Sequence, residues 1–235
     1  MSQYGWLAAT LRSRIVHGEW APGSALPAEA ALAREHGVAL GTIRQAVGVL
    51  VEEGLLERIH GSGTFVRIAL NGASMLRFFR FRNQDGDLSE VPRSDILERA
   101  GVPADVAEAE ALGTSDGAPL LALRRVRSFA GVPCLVETIR LALPLFEPLA
   151  DLDLAEWGDL LYPLYQQRVG VTVIRAQDEL SFSLLDAPDA AALRLPERHP
   201  CVLVTRRAFD LQGRCVELRH TRGDAFSFHY SAQLR

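Results

Sequence analysis

The chain has 235 residues, 48% of them hydrophobic, enough for one large or two modest packed domains. No run of about 18 apolar residues is present that would cross a membrane, and Met1-Ser2-Gln3-Tyr4 lacks the basic start and apolar block of an export signal. The formal net charge of −4 does not advertise a nucleic-acid binder, so affinity for DNA has to come from where individual arginines point.

The first elements are short and helical. Tyr4 to His17 carries Leu7, Leu11 and Ile15 at helical spacing, with Gly18 as the stop. Ala21-Pro22-Gly23-Ser24 reads as a turn, and Pro27 opens a second helix from Ala28 to Glu35 that ends before Gly37. A third helix spans Leu40 to Glu53, with Ile43, Ala46, Val47 and Leu50 forming one apolar stripe while Gly41, Arg44, Gln45 and Gly48 lie elsewhere on its surface. Leu55–Ile59 and Thr64–Arg67 flank His60-Gly61-Ser62-Gly63 and read as a hairpin. Helix, sharp turn, helix and glycine-marked hairpin make the sequence shape of a winged helix-turn-helix, which puts one helix into the DNA major groove. Residues 1–67 carry six arginines against six glutamates, so this head is electrically balanced.

A linker is expected over 68–74, broken at Asn71-Gly72, with a second domain over 75–235. Its expected strands are Leu120–Ser128, Cys134–Leu141, Thr172–Leu184, Cys201–Asp210, Cys215–Thr221 and Ala225–Ser231. Helices are expected at Ala104–Ala111, Glu156–Arg168 and Ala187–Leu193. Two hairpins look like copies: Arg125-Val126-Arg127 turning at Gly131 to Glu137, and Arg206-Arg207-Ala208 turning at Gly213 to Glu217, with registers offset. The fold class expected is α+β, a winged helix-turn-helix joined to a mixed, mainly antiparallel sheet. Cys134, Cys201 and Cys215 are odd in number and lack metal spacing, which fits reduced thiols in a cytoplasmic protein without metal or cofactor.

Leu26-Pro27-Ala28-Glu29, Gly37-Val38, Thr42-Ile43-Arg44-Gln45-Ala46, Glu53-Gly54-Leu55 and His60-Gly61-Ser62-Gly63-Thr64-Phe65-Val66 occur in the order found in GntR-type transcription regulators. Arg125-Val126-Arg127, Gly131-Val132-Pro133, Glu137 and Arg222-Gly223-Asp224 resemble the UTRA effector domain of the HutC subfamily, whose fold is similar to chorismate lyase. The resemblance implies a homodimeric repressor that binds a double-stranded DNA operator and answers to a small anionic effector, with no membrane partner. DNA contacts fall on Thr42, Arg44, Gln45, His60, Gly61 and Ser62, with Arg44 reaching a phosphate or guanine edge and the glycine of the wing allowing close approach. Arg44 as a surface salt bridge and His60 as a solvated turn residue are the alternatives. Departures from the family pattern stand at Ala30, Ala39 and Leu40, and at Ala28, where a capping Ser is common.

For the effector, the resemblance assigns Arg125 and Arg127 to an anionic group; two apart on a strand, they share a face. Glu137 matches an acid that accepts from a ligand hydroxyl or amine, Tyr162 an aromatic position, and Glu217 a second acid. Leu160 stands where a Ser is usual, and Glu217 is closer than usual to Arg222-Gly223-Asp224, with the usual Tyr missing. The alternative for Arg125, Arg127 and Glu137 is a cross-strand salt-bridge ladder at the surface. No Gly-x-Ser-x-Gly, His-Glu-x-x-His or Cys-x-x-Cys motif is present. A chorismate lyase-like small-acid enzyme carrying a DNA-binding domain therefore rests on fold analogy alone.

Overall fold

The structure, a computed structural model, describes residues 2–16, 18–67 and 92–227. Two compact units divide the chain, 1–71 and 72–235. The expected linker at 68–74 lies outside the described residues.

In the first unit, helices α1 (Gln3–Val16), α2 (Glu29–His36) and α3 (Leu40–Glu52) precede a hairpin of β1 (Leu56–Ile59) and β2 (Gly63–Val66). Leu7, Leu11 and Ile15 of α1 are buried, as are Ile43, Ala46, Val47 and Leu50 of α3. Each large aliphatic side chain so buried contributes about 1.5–3 kcal/mol, which holds helices too short to persist alone. Neither Ala28 before α2 nor Ala39 before α3 offers a side-chain cap. Gly37, at φ +63°, ends α2, and the Val38 N–H returns to the Ala33 carbonyl. In the hairpin Leu56 stands opposite Val66 and Ile59 opposite Gly63, and the turn closes with Ser62 N–H on the Ile59 carbonyl. Gly61 sits there at φ +74°, a backbone that side chains rarely adopt.

The second unit runs β3 (Arg93–Pro103), α4 (Val106–Leu112), β4 (Pro119–Phe129) and β5 (Val132–Ala142). After α5 (Glu147–Ala150), a 3-10 turn at Leu154–Glu156 and α6 (Leu161–Val169), it continues with β6 (Val173–Leu184), α7 (Ala187–Leu193), β7 (Pro200–Asp210) and β8 (Cys215–Asp224). The six strands form one sheet in the order β3-β4-β5-β8-β7-β6, each neighbour antiparallel. A strand–helix–hairpin unit therefore occurs twice, and the copies meet antiparallel at β5 and β8. The repeated hairpins are the central four strands of this arrangement.

The copies differ in register. Arg125 stands opposite Glu137, whereas Glu217 stands opposite Ala208 and Arg206 opposite Arg219. Helices α4 and α7 cover one face of the sheet, α4 over Leu120 and Leu218, α7 over Val126, Val136 and Cys201. A reciprocal cap of Asp105 and Glu108 starts α4, and Asp186 caps α7. The opposite face carries Arg125, Arg127, Glu137, Glu217 and Arg219.

Four expectations are corrected. Strand β3 was not foreseen, because this edge strand is mostly exposed and shows no apolar alternation. The helix expected at Glu156–Arg168 begins only at Leu161, since Gly158 at φ +60° and extended Leu160 break it from the 3-10 turn. The helix expected from Ala104 starts at Val106, after its Asp105 cap. Of the strand expected at Ala225–Ser231, residues 225–227 form a turn on Asp224, which accepts from Phe226 N–H and Ser227 Oγ, and the remainder lies outside the described residues.

Candidate DNA-binding and effector sites

On the head, burial of the apolar stripe of α3 leaves Arg44 and Gln45 exposed and Thr42 half-buried. His60, Gly61 and Ser62 are exposed at the tip of the hairpin. Arg44 Nε is 3.0 Å from Glu29 Oε2, so the surface salt bridge named as an alternative is present, yet the Arg44 side chain stays 62% exposed. An exposed pair of this kind contributes at most about 1 kcal/mol and is easily exchanged for a phosphate. Arg12 binds Glu53 with two nitrogens, and Arg14 faces both Glu19 and Glu35.

On the sheet, Arg125, Arg127, Glu137 and Glu217 are each at most 3% exposed. The surface-ladder reading is therefore wrong; the ladder exists, but inside the protein. Arg125 Nε donates to Glu137 Oε2 at 2.5 Å, and Thr221 Oγ1 and Arg219 reach Glu137 Oε1 at 3.2 and 3.3 Å. Arg127 lies 3.9 Å from Glu137 Oε2 and donates to the Pro92 carbonyl. Glu217 accepts from Tyr162 Oη at 3.2 Å, Tyr165 Oη at 2.7 Å and Arg219 at 2.8 Å. All five expected effector residues thus converge, since odd-numbered positions of β4, β5 and β8 share a face and α6 brings both tyrosines down on it.

Positive charge is dense here. Arg125, Arg127 and Arg219 surround Glu137, Arg219 also pairs with Glu217, Asp159 acts on Arg127, and Arg206 is matched separately by Asp178 at 2.7 Å. Arg219 Nε and Trp157 Nε1 are buried donors with no hydrogen-bond acceptor among the described residues. Burial, then Arg125 beside it, pulls the Arg127 guanidinium down to about 10. Burial alone would raise the Glu137 carboxyl, but Arg125, Arg219 and Arg127 outweigh it and hold it well below the usual range. Burial and the neighbouring Glu217 push the Tyr162 hydroxyl up to about 12, so it remains a donor at neutral pH. The cluster is rich in donors, and an oxyanion supplies acceptors and negative charge together.

Sequence reasoning missed Arg219, Thr221 and Tyr165. Arg219 and Thr221 follow Glu217 at spacings of two on β8, so strand parity alone would have placed them on this face. Tyr165 follows Tyr162 by three on α6, the same side of a helix. Among the described residues no group of three or more His, Cys, Asp or Glu side chains forms a metal site, and all three cysteines are free thiols.

Comparison with known proteins gives a family match for each unit. Residues 3–66 match the model for bacterial regulatory proteins of the gntR family, and residues 87–229 match the UTRA domain. The HTH-type transcriptional regulator SmoD of Agrobacterium fabrum is 28% identical, over 100% of this chain and 97% of its own. The HTH-type transcriptional repressor PhnF of Mycolicibacterium smegmatis is 31% identical over 88% of this chain and 83% of its own. The crystal structure of PhnF from Mycobacterium smegmatis superposes with a TM-score of 0.58 at 25% identity, covering 97% of this chain and 98% of that one. With α3 and the hairpin tip exposed in one unit and a buried cluster of arginines and carboxylates on the sheet of the other, this chain belongs to the GntR family and is a DNA-binding transcription regulator, not an enzyme, with a UTRA effector-binding domain.

Proposed function

We propose that the protein is a cytoplasmic, homodimeric repressor whose operator affinity is set by a small anionic metabolite bound over Arg125, Arg127, Glu137, Tyr162 and Glu217. The observation that carries this is the buried cluster of arginines on one sheet face, where the Arg219 Nε donor has no acceptor among the described residues. Because the face is packed shut, a ligand enters only by exchanging contacts, with its anion displacing the Glu137 carboxylate from one of the arginines. A ligand that favours the exchanged arrangement shifts the population of the protein in proportion to its differential affinity.

Thr42, Arg44, Gln45, His60, Gly61 and Ser62 take the DNA in this reading, and two heads meet half-sites about one helical turn apart. Self-association is supported by the edge strand β6, where alternate residues Leu180, Phe182 and Leu184 are 42%, 75% and 47% exposed. Such an edge invites pairing with a second copy. Phe182→Glu is expected to convert the dimer to monomer in sedimentation velocity; a dimer of unchanged affinity means that the copies meet elsewhere.

The effector assignment is tested with Arg127→Met, which removes the guanidinium and keeps apolar bulk. Glu137 keeps Arg125 and Arg219 as partners in the variant, so the variant is expected to fold, which its far-UV circular dichroism checks. Phosphate, sugar phosphates and small carboxylates are screened by thermal shift. A compound at 100 times its Kd stabilises the wild type by about 2.7 kcal/mol, and this gain is expected to vanish in the variant. An equal gain in both proteins puts the binding site elsewhere.

A further inference from the structure

Arg58 lies on β1 just before the wing tip, with half of its side chain exposed. One of its terminal nitrogens is 3.4 Å from Glu29 Oε1 and 3.4 Å from the carbonyl oxygen of Arg44. The other oxygen of Glu29 takes Arg44 Nε at 3.0 Å. A single carboxylate therefore serves two guanidinium groups, which leaves a surplus positive charge at this spot. Elsewhere on the head the balance runs the other way or evens out: Arg14 faces two glutamates, and Arg12 and Glu53 are matched one to one. The surplus is local, and it sits between the first half of α3 and the wing.

The bonding leaves both side chains able to do more. Arg44 meets Glu29 through Nε and Arg58 through one terminal nitrogen, so each guanidinium keeps donors for oxygen acceptors outside the protein. The bond from Arg58 to the backbone of α3 also ties the wing strand to the helix. We propose that Arg58 is a DNA phosphate contact, held against α3 by Glu29 as a positioning residue, so that the wing grips the backbone beside the place where Arg44 of the helix meets the DNA. This rests on the reading that Arg44 faces the DNA.

The test uses the full-length protein and a labelled 30-base-pair duplex of random sequence, since phosphate contacts are independent of sequence; the length is roughly three helical turns. Binding is followed by fluorescence anisotropy between about 50 and 200 mM salt. Loss of one phosphate contact makes the slope of log K against log salt shallower by about 0.9, so the affinity lost across that range shrinks about 3.5-fold in Arg58→Gln. Arg58→Lys keeps the charge and is expected to keep the wild-type slope. An unchanged slope in Arg58→Gln overturns the proposal, even if affinity falls, because Arg58 then only braces the wing. Arg44→Gln is run in parallel: unchanged slopes in both variants mean that this whole face is not the one on DNA, whereas a change in Arg44→Gln alone removes only Arg58. Glu29→Gln leaves both arginines without the carboxylate that repels phosphate, and is expected to tighten binding about threefold at low salt. Unchanged or weaker binding contradicts the shared grip.

Discussion

Glu137→Ala is expected to destabilise the second domain by about 3–5 kcal/mol, because breaking a buried ion pair leaves charge without compensation. Glu137 is the acid between Arg125 on one side and Arg219 on the other, with Arg127 a little further off. Its removal leaves the buried Arg125 without its carboxylate and Arg219 with Glu217 alone. At about 2–4 °C per kcal/mol for a domain of this size, the melting temperature falls by about 6–20 °C. Acid should narrow the gap between the two proteins. The folded carboxyl of Glu137 is depressed, so its stabilisation is complete above the ordinary value of 4.5 and is lost as pH falls below that toward the folded value. Thermal melts of both proteins from neutral pH downward measure this. A variant within about 0.5 kcal/mol of wild type at neutral pH would show that Glu137 is not the counterion of this face.

Arg44→Ala is expected to weaken binding to the upstream operator about five- to 150-fold, the equivalent of the roughly 1–3 kcal/mol carried by one good bidentate base contact. Affinity for random DNA should fall much less, so the ratio of the two is the informative quantity. The salt bridge to Glu29 does not oppose this, since an exposed pair is worth little and Arg44 engages it through Nε alone. With alanine and leucine at positions 39 and 40, fewer side chains of α3 can share the readout, which raises the share that falls to Arg44. A gel-shift titration in which operator and random DNA lose affinity equally would reduce Arg44 to a phosphate contact. No loss on either would remove it from the interface.

Much of this was legible in the chain because period and punctuation agreed. The stripe of Ile43, Ala46, Val47 and Leu50 defined α3, and Gly61 and Gly63 marked the turn that only positive φ allows. Alternation put Arg125, Arg127 and Glu137 on a common face, but could not say whether that face met water or protein. The answer lay in Tyr162 and Tyr165, which come from a connection whose helix the sequence pattern misplaced. Strand β3 was invisible for the opposite reason: on an edge, with most side chains exposed, it needs no apolar repeat. The doubled strand–helix–hairpin unit was half seen, since only its hairpins carry similar residues, and the offset of Glu217 relative to Glu137 hides the rest.

Coupling between the buried arginines and the operator is tested most directly on one sample. The full-length protein is bound to a labelled fragment of its own upstream DNA, and every anion that raises its melting temperature is titrated in while anisotropy is followed. A stabilising anion is expected to shift the operator Kd of the wild type and to leave that of Arg127→Met unmoved. An anion that stabilises the wild type without changing its operator Kd, or that shifts both proteins alike, contradicts the account.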